Sequence, residues 1–521
     1  MPNFQQKQTN MQQYKSKKLN RKINVTAFYH KDFKWKVVLP TIIYNYLQDK
    51  LQEQPPFKGF KEDIALYYLS LIISVPARKK DKIYKYGYVP LFAQALKDKN
   101  YRYKEYFKYF LDIGILEYKE YSTSAKKSKS FRYNFSNIKF EGTECVNFQV
   151  FEISDVNFNK KLLKEDLFND CFSSCPQLCT WFDEGLHIDF DRLCYDMQSE
   201  FCYNKYNLNY NVFNPILSRV YNYWYSALML KEQCFRVSRK SDSDNRLHTN
   251  LTNMPSIFRP YLTYHDENIQ SLDIKNSQPY FMVLVLENLE NSNVRGIINK
   301  VFNNNSDMGI MMQKLQQITS SKAFQEEFSP LKNAVLTGQF YEFLMPLFPD
   351  IKPFKVVSDS DGELIEYYQH RFYNSSKKLI ELCEFKSKRD LMKRLTLQIL
   401  YTPLTRPSKE YMIFKLHFPL LCECIETFKA TTDESDSFKL FPRLLQQVES
   451  DCVLDKISKE LCEKYPQMPL WTIHDSFCTT QSWFPIMETA VKELFLSYSD
   501  GILPSFKCDA WCKDCECLKV A

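Results

Sequence analysis

Two short apolar segments, far apart in the chain, each run into an aspartate. Residues 268–272 are typical of a strand that ends at Asp273, and an apolar helix follows the turn. Residues 468–480 are typical of a hairpin with His474 and Asp475 at its tip. Carboxylates from two different strands can converge on a pair of divalent ions. The two segments therefore predict a mixed α/β fold in which a small sheet carries an acidic site.

Glycine is scarce, with 10 residues in a chain of 521. No glycine-rich phosphate loop of the G-x-x-x-x-G-K-[ST] or G-x-G-x-x-G kind occurs, so phosphate chemistry would have to use side chains and metal ions. Hydrophobic residues make up 44% of the chain, which is enough for a folded core, and the length suits about three domains. The net charge of +7 is modest, but positive charge concentrates at Lys15 to Lys22, Lys79 to Lys85 and Lys126 to Arg132. Such clusters suit a polyanionic partner, although a solvated basic face is an alternative.

A third segment, residues 389–401, is typical of a helix with a cationic stripe. Arg389, Lys393 and Tyr401 recur at i, i+4 and i+12, near one face of a helix with about 3.6 residues per turn. A guanidinium fork and an ammonium group one turn apart suit a triphosphate, and a tyrosine can stack against a base. Each feature alone also has an ordinary explanation, because His-Asp pairs form turns and cationic stripes are commonly solvated.

In this order, the three segments SLDIKNSQPYF, RDLMKRLTLQILY and TIHDSF resemble motifs A, B and C of family A DNA polymerases and of single-subunit phage-type and mitochondrial RNA polymerases. The resemblance runs from about Arg246 to Thr480 and is most similar to the transposon- and virus-encoded branch. It implies a right-hand polymerase of the α/β (α+β) class with palm, fingers and thumb. The chain would be mostly helical outside the palm sheet.

The resemblance also implies a two-metal mechanism. Asp273 and Asp475 would ligate two magnesium ions, or manganese in their place, and the backbone carbonyl of Ile274 would add a ligand. His474 would support the primer terminus or the metal-binding turn, and Lys393 would be the proton donor to pyrophosphate. The implied nucleotide-binding residues are Arg389, Lys393, Tyr401 and Gln278.

Two further arginines lie in the string NRLHTNLTNMPSIFR, which resembles the segment before motif A. Arg246 would approach the primer-template duplex, and Arg259 would support the palm. The sequence departs from the family at Gln278, where DNA polymerases generally use Glu as a sugar gate, and at Leu397 and Thr402 in motif B. Discrimination against ribose therefore stays open.

An N-terminal module precedes this region. Helices are predicted at 62–74, 89–97 and 103–113, followed by strands at 115–121 and 131–135, an order that resembles a winged helix. In that family the third helix faces bases and the hairpin faces phosphates. The implied DNA-binding residues are Arg102, Lys104, Lys108, Lys126, Lys127, Lys129 and Arg132. A protein-binding adaptor is the alternative.

The chain has 17 cysteines and no apolar leader, which favours reduced, buried or metal-bound thiols. Four of them, Cys508, Cys512, Cys515 and Cys517, could bind structural zinc, with idle thiols as the alternative. No apolar stretch reaches spanning length, so we expect a cytoplasmic protein with no membrane partner.

The sequence predicts five segments: a disordered basic tail at 1–24, a winged-helix-like nucleic-acid-binding module at 25–150, a helical thumb-like region at 151–240, a palm and fingers domain at 241–500, and a Cys-rich tail at 501–521. The first functional expectation is a DNA polymerase of a mobile element or phage, with DNA template, primer and nucleoside triphosphates as partners. An RNA polymerase or primase of the single-subunit type is the second. A non-catalytic replication initiator or DNA-binding regulator is the third.

Overall fold

Packing divides the chain into two units. The first comprises Met1–Ser238 and His248–Leu262, and the second Arg239–Leu247 and Thr263–Ala521. The computed structural model describes residues 34–78, 87–120, 128–134, 136–138, 148–164, 171, 174–202, 219–239, 244–302, 307–358, 362, 364–374, 379–430 and 437–512. The predicted tail at 1–24 lies outside these residues, and the five predicted segments stay a prediction.

The first unit is mixed helix and sheet. Its strands are β1 (Lys36–Pro40), β2 (Val89–Pro90), β3 (Leu116–Lys119), β4 (Ser130–Tyr133), β5 (Phe148–Glu152) and β6 (Leu186–Ile188). Its helices are α1 (Thr41–Glu53), α2 (Glu62–Arg78), α3 (Ala93–Lys99), α4 (Tyr103–Asp112), α5 (Val156–Lys164), α6 (Pro176–Cys179), α7 (Phe190–Cys202), α8 (Arg219–Lys231) and α9 (Asn250–Asn253), with a 3-10 turn at Ser256–Tyr261. Three short strands, β7 (Ser238–Arg239), β8 (Leu247–His248) and β9 (Leu262–Tyr264), lie where the chain passes between the units.

The predicted N-terminal helices and hairpin are largely confirmed as elements. Helices α2, α3 and α4 accompany a three-stranded sheet in the order β2-β4-β3. The predicted second helix begins too early, because Val89 pairs with Phe131 and so belongs to the sheet. Helix α4 ends just before Gly114, whose positive φ of 71° favours glycine and lets the chain turn into β3.

The second unit is also mixed. Its strands are β10 (Glu267–Ile274), β11 (Lys355–Ser358), β12 (Leu364–Asn374), β13 (Leu379–Phe385), β14 (Trp471–Ile473), β15 (Ser476–Thr480) and β16 (Phe506–Ala510). Its helices are α10 (Ser277–Glu287), α11 (Ser292–Val301), α12 (Met308–Thr319), α13 (Lys322–Leu336), α14 (Phe340–Leu344), α15 (Lys388–Leu400), α16 (Lys409–His417), α17 (Pro419–Lys429), α18 (Leu440–Ser450), α19 (Ser458–Lys464) and α20 (Phe484–Tyr498). Short 3-10 turns occur at Met345–Leu347 and Ser437–Lys439, and a π-helical stretch at Asp451–Ile457 joins α18 to α19.

Strand β10 organises the sheet of the second unit. It pairs antiparallel with β15 and with β16, and β14 pairs with β15 as the predicted hairpin. The strand is longer than the sequence predicts, so Asp273 lies within it and not after its end. Helix α10 follows directly and is buried along nearly its whole length, which explains why its sequence is apolar on every face.

The helix predicted at 389–401 is α15. Ser387 caps it by accepting a hydrogen bond from the Asp390 backbone amide at 3.1 Å. Pro403 disfavours further helix, so Leu400 is the last helical residue and Tyr401 becomes the C-cap. The antiparallel sheet β11-β12-β13 precedes α15. Among the described residues, no helix is both long and apolar enough to cross a membrane.

Candidate active site

The structure brings Asp273, on strand β10, next to the hairpin turn that carries Asp475 just before β15. Asp273 lies opposite Ser476 in the β10–β15 ladder, so Asp475 at the hairpin tip is the next residue along. The Ser476 hydroxyl donates a hydrogen bond to the Asp273 carboxylate, and the Ile274 amide donates to the Asp475 carbonyl at 3.4 Å. Sheet register therefore fixes the two carboxyl groups, whose predicted metal-binding roles remain predictions.

His474 occupies the first position of the hairpin turn with a positive φ of 55°. A residue other than glycine rarely adopts this backbone conformation, and such strained positions concentrate at functional sites. A two-residue hairpin turn also commonly places its first residue at positive φ, so the predicted role of His474 stays a prediction.

Glu449, at the end of α18, is the most important residue that sequence reasoning missed. Its side chain is 1% exposed. Nη2 of Arg246 lies 2.7 Å from its Oε1 and 2.8 Å from its Oε2. Oε2 also accepts hydrogen bonds from the Ser277 hydroxyl at 3.1 Å and from Nε2 of Gln278 at 2.7 Å. The buried Glu449 carboxylate therefore links Ser277 and Gln278, at the start of α10, to Arg246.

Asp475 lies in a strongly negative environment. Burial, followed by the negative charges of Glu449 and Asp273, raises the pKa of the Asp475 carboxyl well above its usual value. Hydrogen bonds from its own backbone and from Ser277 act in the opposite direction. The carboxyl groups of Asp273, Glu449 and Asp475 thus form one electrostatic cluster.

Arg246 supplies positive charge to this cluster. Burial acts to lower its pKa, but the charge and hydrogen bond of Glu449, with a further contribution from Asp475, raise it. Tyr401 belongs to the same neighbourhood, because its hydroxyl accepts a hydrogen bond from Nε2 of Gln446 at 3.1 Å and Arg246 influences its pKa. Burial is the main reason why the pKa of Tyr401 is raised.

Tyr341, also missed from the sequence, lies beside Arg389. The Arg389 guanidinium lies 5.1 Å from the ring centroid of Tyr341 and pairs with Glu342 at 2.6 Å. Burial raises the pKa of Tyr341 to about 12, with Arg389 acting to lower it and Asp475 to raise it. Lys393 is on the half-exposed face of α15, 3.7 Å from Asp390, and remains a prediction as a triphosphate ligand.

Asn276 precedes α10 in the left-handed conformation, with φ of 54°. The residue is 5% exposed, and neither polar atom of its amide has a hydrogen-bond partner among the described residues. A buried polar group without a partner costs about 1–3 kcal/mol. A strained, buried amide three residues after Asp273 is therefore a further candidate site residue.

The donor set is compatible with magnesium. Among the described residues, no group of three or more His, Cys, Asp or Glu side chains is arranged to hold a metal. Magnesium, however, takes oxygen ligands and is commonly bound through one or two carboxylates and several waters. Asp273, Asp475 and the Ile274 carbonyl are oxygen donors, and a divalent cation would offset the negative charge that raises the pKa of Asp475.

The predicted DNA-binding residues of the first unit have mixed environments. Arg102 donates to Glu105 at 2.7 Å and lies 4.7 Å from the Phe57 ring centroid, and Arg132 donates to Glu117 at 2.7 Å. Lys104 is exposed on α4. Lys126 and Lys127 lie outside the described residues. Arg259, predicted to support the palm, belongs to the 3-10 turn of the first unit.

Two of the four predicted zinc ligands, Cys508 and Cys512, lie within the described residues. Cys512 is disulfide-bonded, whereas Cys508 is a free, exposed thiol on β16. A disulfide sulfur is not a thiolate, so Cys512 cannot serve as the predicted zinc ligand in this form, and the expectation of thiols throughout is wrong at this residue. Cys515 and Cys517 lie outside the described residues.

No family model matches the chain, and no curated protein matches it. Among solved structures, the chain is similar to the POL domain of Pol1 from M. smegmatis in complex with DNA primer-template and dNTP. The TM-score is 0.38 at 9% sequence identity, with 69% of this chain and 74% of that chain covered. A likeness at this level is too loose to place the chain in a family.

Proposed function

We propose that this chain is a template-directed nucleotidyltransferase, and specifically a DNA polymerase that uses Asp273 and Asp475. The observation that carries the proposal is the antiparallel pairing of β10 and β15, which brings together two carboxylates from distant parts of the sequence. Both segments also resemble polymerase motifs, and the nearby cluster contains Arg246 and Tyr401. The strand pairing, the motif resemblance and the nearby Arg246 and Tyr401 all support the same candidate active site.

In the proposed reaction, the 3′ hydroxyl of a growing strand attacks the α-phosphorus of a nucleoside triphosphate. A P–O bond forms to the 3′ oxygen, the P–O bond to pyrophosphate breaks, and the hydroxyl proton passes to water. When bound, divalent ions would activate the hydroxyl and stabilise the developing charge. Asp273, Asp475 and the Ile274 carbonyl would hold them, while the Ser476 hydroxyl orients the Asp273 carboxylate.

Helix α15 would bind the triphosphate through Arg389 and Lys393. Arg389 and Lys393 are one turn apart on α15, and a guanidinium and an ammonium stay charged beside phosphate. Lys393 would also protonate the departing pyrophosphate. Tyr401 would lie beside the nascent base pair, His474 would support the primer terminus, and Arg246 would approach the duplex.

An RNA polymerase or primase is the second candidate, and Gln278 is the observation that favours it. Gln278 carries an amide where the DNA polymerases that this chain resembles generally carry a carboxylate. A neutral amide that offers both a donor and an acceptor can accommodate a ribose 2′ hydroxyl. The biological setting that fits joined DNA-binding and polymerase modules is replication of a mobile element or phage.

The first unit would hold nucleic acid during synthesis. Its α2-α3-α4 helices and β2-β4-β3 sheet have the element order of a winged helix. Lys104 and Lys108 are exposed on α4, the helix that would face bases. Arg102 and Arg132 are paired with acidic neighbours and would contribute less.

Primer extension tests the proposal. Purified protein is incubated with magnesium and a labelled primer-template, with deoxynucleotides or ribonucleotides, beside Asp475→Ala and a reaction without primer. Extension with deoxynucleotides that Asp475→Ala abolishes supports a DNA polymerase. Ribonucleotide products, especially without primer, support the second candidate. Duplex binding without synthesis under any condition would overturn the enzyme proposal in favour of a non-catalytic initiator.

A further inference from the structure

We infer that the first unit binds a terminal phosphate group in a small basic cavity. The cavity is lined by β1, α2, the end of α3 and the segment that follows α8, all of which belong to the first unit. The inference does not depend on the proposed nucleotidyl transfer, because Asp273 and Asp475 belong to the second unit.

The size of the basic cavity limits the ligand. Its volume is about 170 Å³, whereas one molecule of liquid water occupies about 30 Å³. Drug-sized ligands occupy pockets of about 300–1,000 Å³. The basic cavity therefore suits a group several times larger than water, either a small ligand or the end of a larger molecule.

Three cationic side chains line the basic cavity and come from separate segments. Lys36 lies on β1, Lys99 is the last residue of α3, and Arg236 follows α8. Among the described residues that line the cavity, none is acidic. Like charges that share a partly buried space repel one another and lose hydration, and both costs fall when an anion binds. The lining therefore favours an anionic ligand.

Lys36 and Arg236 are held in place by their neighbours. Nζ of Lys36 donates to the carbonyl of Glu232 at 3.1 Å and to its Oε2 at 3.2 Å, which uses two of the three ammonium hydrogens. The Arg236 guanidinium lies 4.7 Å from the ring centroid of Trp35. A guanidinium held against an aromatic ring presents its donors in a fixed plane, and that geometry suits the oxygens of a phosphate.

Helix α2 contributes a polar wall. Tyr67, Ser70, Leu71 and Ser74 line the basic cavity at helical spacing. Ser70 and Ser74 are 3% and 5% exposed, and the Ser70 hydroxyl donates to the Tyr67 carbonyl at 2.7 Å. An apolar ligand would remove these hydroxyls from water without offering them hydrogen bonds. The wall therefore suits a polar ligand.

The charge at the basic cavity matches a phosphate better than a carboxylate. Three cations lie at the cavity, and Glu232 pairs with Lys36. The four side chains together carry a net charge of +2. A phosphate monoester carries a charge of about −1.5 to −2 at neutral pH, whereas a carboxylate carries a single negative charge. A terminal phosphate therefore balances the charge of the site.

Calorimetric titration of the full chain tests the inference with three phosphate-bearing probes. Deoxyadenosine 5′-monophosphate is compared with deoxyadenosine, and a 5′-phosphorylated thymidine tetranucleotide with the same strand ending in a 5′ hydroxyl. Inorganic phosphate is the third probe. The three probes distinguish a nucleotide, a nucleic-acid end and free phosphate as the source of the group. EDTA is present, so metal-dependent nucleotide binding in the second unit does not contribute.

Two variants remove charge from the basic cavity, and a third is the matched control. Lys99→Gln and Arg236→Gln each remove one lining cation. Lys97→Gln removes the same charge from the same helix, but Lys97 is exposed and does not line the cavity. Urea unfolding of each variant verifies that it is folded before its affinity is measured.

We expect the phosphorylated member of at least one pair to bind at least about tenfold more tightly than its counterpart, or inorganic phosphate to bind measurably. Lys99→Gln and Arg236→Gln should each weaken that binding by at least about tenfold, and Lys97→Gln should leave it within about twofold of the wild type.

Phosphate-dependent binding that neither Lys99→Gln nor Arg236→Gln weakens would overturn the inference, as would the absence of phosphate-dependent binding to all three probes. Equal losses in Lys97→Gln and Lys99→Gln would also overturn it, because binding would then follow the overall charge of the unit. Primer extension tests the proposed nucleotidyl transfer separately, so either proposal can fail while the other stands.

Discussion

Ser476 lies directly across the β10–β15 ladder from Asp273, and its hydroxyl donates a hydrogen bond to the Asp273 carboxylate. Hydrogen bonds to charged groups contribute about 1.5–3 kcal/mol. We therefore expect Ser476→Ala to slow nucleotide incorporation about tenfold to a hundredfold, as measured in single-turnover extension. Ser476→Thr keeps the hydroxyl and should lose much less. Equal rates for Ser476→Ala and the wild type would show that this bond does not orient Asp273 for reaction.

The Arg246–Glu449 pair should be strongly coupled in stability. Removing one member of a buried pair leaves an uncompensated charge and costs about 3–5 kcal/mol. Arg246→Met and Glu449→Met should each lower the free energy of unfolding in urea by about that amount. The double variant should lose clearly less than the sum of the two losses. Additive losses would mean that the two side chains act independently.

Lys429 should make stability depend on pH in the alkaline range. Burial lowers its pKa from the usual 10.5 to about 8, and its ammonium donates to the Thr402 carbonyl at 2.9 Å. Between pH 8 and pH 10.5, Lys429 binds a proton more fully in the unfolded chain than in the folded protein. Its contribution therefore makes the folded state more stable as the pH rises through this range. Below pH 8 Lys429 is charged in both the folded and the unfolded chain, so the full cost of burying its charge lowers the stability of the folded state.

The matching variant is Lys429→Met. Its free energy of unfolding relative to the wild type should fall between pH 7 and pH 10, by up to about 3 kcal/mol, since one pKa unit corresponds to about 1.4 kcal/mol. Urea unfolding at the two pH values measures the change. A difference that is constant with pH would show that Lys429 titrates normally in the folded protein.

Substitutions at Asn276 separate the effect of its left-handed backbone conformation from the effect of its side-chain amide. Asn276→Gly keeps the left-handed backbone accessible, whereas Asn276→Ala places an ordinary side chain at φ of 54° and should lower stability by about 1–2 kcal/mol. Both variants lack the buried amide. We expect both to raise the KM for nucleotide several-fold, by about the worth of one hydrogen bond. An unchanged KM in the Gly variant would remove Asn276 from the candidate site.

The acidic pair could be predicted because each aspartate has a local signal. Asp273 lies near the end of strand β10, and the His474-Asp475 pair forms the tip of a hairpin whose turn is evident in the sequence. The ion pair between Arg102 and Glu105 could also be predicted from the sequence. Glu105 is three residues away from Arg102 on the same helix, a spacing at which opposite charges pair.

Glu449 could not be paired with its partners from the sequence, because Gln278 is 171 residues away and Arg246 is 203 residues away. A weaker signal was present. Leu445, Val448 and Cys452 are buried at helical spacing, and Glu449 lies in the same stripe. A carboxylate on a buried helix face requires a partner, although the partner's identity depends on tertiary structure. The π-helical stretch that follows has no comparable sequence signature.

The most direct test of the central claim is the rate of a single nucleotide addition with magnesium in Asp273→Asn and Asp475→Asn. Asp451→Asn is the matched control, since Asp451 is a carboxylate of the same unit that binds Tyr498. We predict that each of the first two substitutions slows addition by at least about a thousandfold while primer-template binding persists, and that the control stays close to the wild type. Addition at wild-type rates by either Asp273→Asn or Asp475→Asn would contradict the proposal that these two carboxylates form the active site.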